Sequence, residues 1–427
     1  MRDRSVTRHT VTLPVTPPRA RAGQRRPRHQ PSPPTRRARG TFRRATLSSH
    51  HASRDPRLFP AACPFPAPRA GGRSGRLRWP DARSHHAWGR AGGDRGHGRP
   101  AHPVGRGPGT VYSDEDLFNQ ARALAREGNC PDAVLRYEQL VTEFANSRLA
   151  AAALYNAALC LMRLDDHAGA AERYARLVRD YPGSSDVRAA RFQLALLYER
   201  LAQWDALVAI ADELLADTAL DVDDRVEALA RRAQGLFGQG ERAAAASQAR
   251  DTLRYVSTRR EGSEVRGFYF VAAANFVLAE TVRLNFDEAP IPPGDIATQR
   301  RALDVRAAHL LEAQRLYFDT MRWSEPFWTA AAGYQIGSLY DRFFQSILAA
   351  PVPPASEPLE GAELADYEQT YREALTQYVE PLLRHSIRYW ELTLQMIERT
   401  GVDTEWRARI EADLTRVREQ LGTLLGP

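Results

Sequence analysis

Apolar residues between Leu154 and Pro182 recur first with the spacing of one helix and then with that of a second helix. A short polar turn separates the two runs, and a proline follows the second. Apolar residues three and four positions apart mark one face of an α-helix, and proline stops a helix. Small residues, Ala158 and Ala170, stand where packed helices must approach closely. The pattern therefore predicts a helical hairpin that ends near Pro182.

Two further copies of this pattern lie about 37 residues before and after it, in the same register. The positions that they share with it are Leu117, Ala121, Leu124, Ala133, Tyr137 and Leu140 in the earlier copy, and Leu194, Ala195, Tyr198, Leu207, Ala211 and Leu214 in the later one. The later copy departs from the pattern at Arg191, which replaces an apolar residue, and at Ala211, which replaces an aromatic one. We expect rearranged packing at these two positions.

Helical spacing continues to the end of the chain. A fourth hairpin is predicted from Val226 to Leu253, with GQGERA as its turn. Helices are then predicted over 266–285 and 297–322, because a Pro-rich loop between them continues neither one. A later repeat is split by the insert APVPPASEP, and Pro381 predicts a kink in the long helix that follows it. The final helix is predicted over 404–424.

This arrangement of small, aromatic and aliphatic positions resembles the tetratricopeptide repeat. The resemblance covers residues 113–255 well and the region around 330–380 weakly. It implies an all-α fold in which antiparallel helical hairpins stack in a right-handed superhelix, because a lone hairpin cannot bury its apolar face. We expect TPR-like repeats over residues 111–255 and an irregular TPR-like helical region over residues 256–427.

The long period and the YPGSS link between hairpins are most similar to bacterial envelope members of the family. Examples are the TolA-binding periplasmic protein and the repeat lipoprotein of outer-membrane barrel assembly. The resemblance implies a location in the periplasm or at the outer membrane if a secretion signal has been lost. The chain as written carries no such signal and no apolar stretch of about 18 residues, so otherwise we expect no membrane span and a cytoplasmic protein.

Charge divides the chain near residue 110. Residues 1–110 hold 24 Arg, 4 Asp and no Glu, whereas the remainder carries a net charge of −13. The first segment has few aliphatic residues and no sustained periodicity, so we expect it to be disordered. A role as an arginine-rich nucleic-acid-binding arm, a plain flexible tail, and translation of the wrong frame of a GC-rich gene are three alternatives for it. Nucleic acid is not expected as a partner of the remainder.

Acidic residues precede two of the predicted helices. Ser113 is an expected N-cap, because three acidic residues follow it at the start of the first helix. Asp221, Asp223 and Asp224 stand before the fourth hairpin. Capping and the helix dipole account for these carboxylates better than a metal site does.

Residue types that carry catalysis show no known arrangement in the folded part. Its histidines, His167, His309 and His385, lack metal-ligand spacing, and neither a Walker loop nor a GxSxG turn is present. The chain contains no Lys, which excludes lysine-dependent chemistry. Cys130 and Cys160 have neither metal spacing nor a disulfide framework. We therefore expect no catalytic residue, no metal, no cofactor and no small-molecule substrate.

Amide side chains mark the candidate binding surface. Asn119, Asn156 and Gln193 occupy one register position in three successive first helices, which line the inner groove in the family that the chain resembles. Each amide both donates and accepts hydrogen bonds, so a row of them can hold an extended peptide backbone, while Arg122 sets a charge preference. The alternative is that they are solvated positions without a role.

Two other surfaces are alternatives to this one. The carboxylate clamp of chaperone-binding family members requires basic and amide residues where this chain has Phe118, Arg122, Asn156, Ala189 and Gln193, and only Asn156 matches. A C-terminal group of aromatic residues is interpreted mainly as core and otherwise as a partner surface, and its members are Tyr317, Phe318, Trp323, Phe327 and Trp328.

The sequence favours a non-enzymatic scaffold that binds a peptide or protein partner in its concave groove, as part of a bacterial envelope complex. Three alternatives stay open. The first is a nucleic-acid-associated protein that acts through its basic arm, the second is an enzyme with a dispersed site, and the third is a fragment of a longer repeat array.

Overall fold

A computed structural model describes residues 112–260, 265–355, 357–402 and 404–425 of the chain. The segment 1–110, with its predicted disorder and its basic arm, lies outside them. The described residues form thirteen α-helices. Their bounds are α1 Asp114–Arg126, α2 Cys130–Glu143, α3 Ala150–Arg163, α4 His167–Asp180, α5 Val187–Arg200, α6 Trp204–Ala216, α7 Val222–Gly238, α8 Arg242–Arg260, α9 Tyr269–Glu288, α10 Ile296–Met321, α11 Pro326–Leu348, α12 Gly361–Thr400 and α13 Glu405–Leu425.

Consecutive helices pack against each other along the whole described part, as hairpins α1–α2 through α11–α12, followed by α13. The predicted all-α array of helical hairpins is therefore confirmed, including the fourth hairpin, α7–α8. The segments predicted over 266–285 and 297–322 are α9 and α10, which pack together as a further hairpin. None of the helices in the described part is long and apolar enough to cross a bilayer.

The turns inside the first four hairpins share one backbone conformation. Each contains a residue with left-handed φ, and these are Gly128, Asp165, Ala202 and Gly240. The backbone N–H of the next residue bonds back to the last turn of the first helix, as in Asn129 N to Leu124 O at 2.9 Å and Gln203 N to Tyr198 O at 2.8 Å. This six-to-one bond satisfies a carbonyl that the helix end leaves free.

Polar side chains begin several of these helices. The predicted cap at Ser113 is confirmed, because its Oγ accepts from Asp116 N at 3.1 Å and Asp116 Oδ2 accepts from Ser113 N at 3.2 Å. Asp166 Oδ1 accepts from Gly169 N at 2.8 Å at the start of α4. These contacts satisfy N–H groups that have no partner within the helix.

Small and aromatic residues of the repeat form the core that the pattern predicts. Ala158 and Ala170 are fully buried, as are the tyrosines Tyr137 and Tyr174. Buried residues fall into two clusters, one within α1–α6 and the other within α7–α13. Stacking therefore buries apolar faces that a single hairpin would expose to water.

Packing is rearranged at the two positions where the third copy departs from the pattern. The Arg191 side chain turns to the surface, where its Nε lies 3.1 Å from Glu213 Oε2. Ala211 remains fully buried without an aromatic ring. Trp204 at the start of α6 packs instead on α7, where a Cβ atom on Gly238 would lie 2.2 Å from its ring.

Cys130 and Cys160 are free thiols in the structure, and the expectation of no disulfide framework is not contradicted. The sequence spacing did not show, however, that the packing of α2 on α3 brings the two thiols into contact in one buried cluster. In the C-terminal region, α11 packs closely on α12. The predicted kink site, Pro381, lies inside α12, which continues on both sides of it.

Candidate functional site

First helices of several successive hairpins contact each other. Contacts join α1 to α3, α5 to α7, α7 to α9 and α9 to α11 across successive hairpins. Side-chain contacts also join second helices of successive hairpins: Arg173 Nε on α4 lies 2.7 Å from Glu138 Oε1 on α2, and Gln314 on α10 donates a hydrogen bond to Tyr389 on α12. The predicted amides stand on three of the first helices, Asn119 on α1, Asn156 on α3 and Gln193 on α5.

The amide side chains differ in how far they are already engaged. Asn119 is exposed, and its Oδ1 accepts a hydrogen bond from Arg122 Nη2 at 3.2 Å. Asn156 and Gln193 are half-buried, and within the described residues their side chains make no hydrogen bond. The structure thus brings Asn119 and Arg122 together within α1, and it places Asn156 on α3 and Gln193 on α5 at equivalent positions. The last two amides have donors and acceptors available.

An aromatic residue that the sequence reasoning missed precedes each amide. Phe118, Tyr155 and Phe192 are half-buried, and their spacing of 37 residues was the signal that could have found them. The Phe118 ring meets Tyr137 edge to face at 5.7 Å, and the Tyr155 ring meets Tyr174 at 5.2 Å. Edge-to-face packing holds these rings in place beside the amides.

Burial also keeps the hydroxyl group of Tyr155 neutral. Desolvation raises the pKa of Tyr155, and the nearby Asp186 carboxylate raises it further. A neutral phenol remains both a donor and an acceptor at physiological pH. The three aromatic residues and the three amides therefore offer rings, amide groups and a hydroxyl group to a partner. Arg122 is the cation beside them.

A buried ion cluster holds the middle of the first-helix layer together. Arg231 Nη1 on α7 lies 2.6 Å from Glu199 Oε2 on α5, and Arg231 Nε lies 2.7 Å from Glu227 Oε1. Gln234 Nε2 donates to Glu199 Oε1 at 3.0 Å, and the Arg231 guanidinium stands 5.0 Å from the centre of the Phe270 ring on α9. The cluster joins three successive first helices.

The acidic residues before α7 have structural roles. Asp221 Oδ1 accepts from Asp224 N at 2.8 Å as the N-cap, and Asp223 Oδ1 accepts from the backbone N–H groups of Arg266 and Gly267. Burial, followed by the charge of Asp221, raises the pKa of Asp224 to about 6. The described residues contain no group of three His, Cys, Asp or Glu side chains placed to hold a metal ion.

The C-terminal aromatic residues are mostly core. Tyr317, Phe327 and Trp328 are buried, which agrees with the main interpretation of this segment. Phe318 is 40% exposed, and its ring lies 6.1 Å from Tyr389 of α12. Tyr389 accepts a hydrogen bond from Gln314 Nε2 at 2.8 Å. This exposed aromatic group is a second surface, separate in sequence from the amide row.

An open depression of about 440 Å³ lies beside the start of α5 and the end of α6. Arg188 and Arg191 line it, but Arg188 Nη2 lies 2.7 Å from Asp217 Oδ2 and Arg191 is paired with Glu213. Its charged groups are therefore neutralised within the protein, and none of the three amides lines it.

The hairpin α3–α4 matches a known repeat family. Residues 152–184 match the family model described as tetratricopeptide repeat, and they span most of α3, all of α4 and the turn that follows. Residues 152–184 are a tetratricopeptide repeat within an all-α array of helical hairpins. Equivalent hairpins with the same turn geometry lie on both sides of the matched one. No curated protein matches the chain.

Several solved structures are similar to the chain at low sequence identity. A tetratricopeptide repeat protein from Parabacteroides merdae is 13% identical, covers 71% of this chain and 98% of its own, and has a TM-score of 0.34. MamA from Desulfovibrio magneticus is 11% identical, with coverages of 48% and 96% and a TM-score of 0.32. A repeat protein from Bacteroides fragilis is 10% identical, with coverages of 63% and 98% and a TM-score of 0.27.

Proposed function

We propose that this protein is a non-enzymatic scaffold that binds an extended segment of a partner protein along the first helices of its repeats. The observation that carries the proposal is the row of amides on α1, α3 and α5, two of which have no hydrogen bond within the described part of the chain. Half-buried amides with free donors and acceptors suit a partner that supplies backbone N–H and C=O groups.

The aromatic residues beside the amides add contact area to this surface. An extended peptide places alternate side chains on opposite sides, so one set can pack on Phe118, Tyr155 and Phe192 while its backbone meets the amides. Arg122 is the cation of the row, which favours acidic residues in the bound segment. This contribution weakens as salt is added, because an exposed charge is screened.

Replacing the three amides together tests the proposal. A peptide library is first selected for binding to the purified full chain, and affinities of the selected peptides are then measured by titration calorimetry. We expect Asn119→Ala/Asn156→Ala/Gln193→Ala to lose at least about tenfold in affinity, because each net hydrogen bond contributes roughly 0.5–1.5 kcal/mol. Its melting midpoint should change little, since such polar surface changes cost about 0.5 kcal/mol or less each.

The matched control removes polar groups from the second helices instead. Thr142 on α2 and Ser247 on α8 are exposed and make no side-chain hydrogen bond in the described part of the chain. Thr142→Ala/Ser247→Ala should keep full affinity. Full affinity in the triple variant would reject the amide row, and the exposed aromatic group at Phe318 and Tyr389 would then be tested in its place.

We further propose that the scaffold works in a bacterial envelope complex. The long repeat period and the YPGSS link between hairpins support this location. Fractionation of the native host, with an antibody against the described helical part, tests it. Recovery in the periplasm or the outer membrane is expected, and recovery in the cytosol alone would reject it.

A further inference from the structure

Two cysteines from successive hairpins meet in the core. Cys130 is the first residue of α2, and Cys160 lies near the end of α3. Each is 2% exposed, both belong to the same buried cluster, and their side chains are in hydrogen-bonding contact. Both are free thiols in the structure. Thirty residues separate them in the sequence, so only the packing of α2 on α3 brings them together.

We propose that Cys130 and Cys160 form a disulfide bond that links the first two hairpins when the protein folds in an oxidising compartment. The oxidant is a small-molecule disulfide of the glutathione type. A disulfide requires two cysteine side chains to approach each other, and these two already share a contact within a packed core.

The reaction is two successive thiol–disulfide exchanges. The thiolate of one cysteine attacks a sulfur of the oxidant, whose S–S bond breaks, so that a mixed disulfide forms and one small thiol leaves. The second cysteine thiolate then attacks the protein sulfur of the mixed disulfide and releases the second small thiol. Two protein thiols are oxidised to one disulfide, and one small disulfide is reduced to two thiols.

Burial decides when this exchange occurs. Desolvation, and then contact with Cys130, raises the pKa of Cys160 to about 12, which leaves almost no thiolate in the folded, reduced protein. The exchange therefore proceeds while the two hairpins dock, and the finished bond is then shielded from reductant. A link between α2 and α3 also fixes the hairpins that carry Asn119 and Asn156 relative to each other.

The test uses the full chain with Cys63→Ala, because Cys63 lies outside the described residues and would complicate thiol counting. The protein is refolded in a buffer of oxidised and reduced glutathione, or in reductant alone. It is then unfolded, treated with N-ethylmaleimide and weighed by intact mass spectrometry. We expect no maleimide on the oxidised sample and two on the reduced one. The oxidised sample should also melt higher, by roughly 5 °C.

Two variants control for incidental oxidation. Cys130→Ala and Cys160→Ala, each in the Cys63→Ala background, leave a single thiol, so the same oxidation should give no rise in melting midpoint. Two maleimides on the oxidised sample, a disulfide-linked dimer, or an internal disulfide that leaves the melting midpoint unchanged would each overturn the proposal. Comparing the oxidised and reduced samples of the Cys63→Ala protein tests the proposal even if one of the single-thiol variants folds poorly.

Discussion

Ala202 adopts a backbone conformation that alanine disfavours. Its φ is 53°, in the left-handed region, whereas Gly128 and Gly240 fill the equivalent turns of the first and fourth hairpins. A Cβ atom in this region crowds the neighbouring carbonyl oxygen, which costs roughly 1–2 kcal/mol. The turn persists because Ala202 N and Gln203 N both bond to carbonyls at the end of α5, at 3.1 and 2.8 Å.

We therefore expect Ala202→Gly to raise the free energy of unfolding by about 0.5–1 kcal/mol, because relief of the crowding exceeds the entropy that glycine loses. Urea unfolding followed by circular dichroism measures the change. The control is Ala123→Gly, at an exposed position inside α1, which should lower stability by about 0.5–1 kcal/mol. Equal losses in both variants would show that the left-handed turn is not strained.

At the scale of elements, α11 and α12 approach closely because two glycines leave room for large side chains. A Cβ atom on Gly333 would lie 2.1 Å from Thr393 Oγ1, and one on Gly337 would lie 2.3 Å from Trp390 Nε1. Trp390 is fully buried, and its Nε1 donates to the Tyr334 carbonyl at 3.0 Å. The ring is thus held on both sides and has no space into which to move.

Gly337→Ala should lower the free energy of unfolding by about 1–3 kcal/mol, since the new methyl group overpacks a rigid contact. Alanine normally favours a helix over glycine by about 1 kcal/mol, so the expected sign is opposite to helix propensity. Gly422→Ala provides the matched control, because nothing lies within 4 Å of a Cβ atom there. Chemical denaturation should show the control unchanged or slightly stabilised. A stabilised Gly337→Ala variant would contradict the close crossing.

At the scale of the whole described array, two hydrophobic clusters meet at the boundary between α6 and α7. The Arg231 cluster crosses that boundary, because Glu199 belongs to α5 and Phe270 to α9. The side chain of Arg231 is 3% exposed and that of Glu199 is 9% exposed. Buried carboxylates are tolerated there only while the guanidinium compensates their charge.

Arg231→Met keeps most of the volume and removes the charge, so we expect a loss of about 3–5 kcal/mol at neutral pH. Burial raises the pKa of Glu227, and Arg231 opposes that rise, so the variant should hold the Glu227 carboxyl group neutral up to a higher pH. An acid whose folded pKa is raised loses stability as pH rises above its unfolded pKa of about 4.3, so the deficit should be smallest near pH 4 and grow toward pH 7. Urea titrations from pH 4 to pH 7 measure it.

The control for this prediction is a surface pair of the same chemistry. Arg242 Nη1 and Glu288 Oε2 lie 2.5 Å apart with side chains 39% and 58% exposed. Arg242→Met should cost no more than about 1 kcal/mol, with little dependence on pH, because water screens exposed pairs. A similar loss in both variants would mean that burial does not distinguish the two ion pairs.

Local patterns in the sequence determined much of this molecule. Apolar spacing placed the helices, Pro182 marked the end of a hairpin, and Ser113 was predicted as a cap that the structure confirms. The repeat register also located Asn119, Asn156 and Gln193 on equivalent helices, although their role in binding stays a prediction. The helices and the cap depend on residues within one or two helical turns of one another, and the register depends on a period that repeats along the chain, so both can be read from the sequence alone.

Only the tertiary structure decided which distant groups meet. The contact of Cys130 with Cys160 and the cluster around Arg231 join residues about 30 positions apart, and no local period encodes them. The left-handed turn at Ala202 was hidden for the same reason, since alanine favours the helix and the stacked hairpins override that preference. The free energy gained by burying apolar surface depends on all the helices that pack together. It therefore favours contacts that the helix propensity of a single segment does not predict.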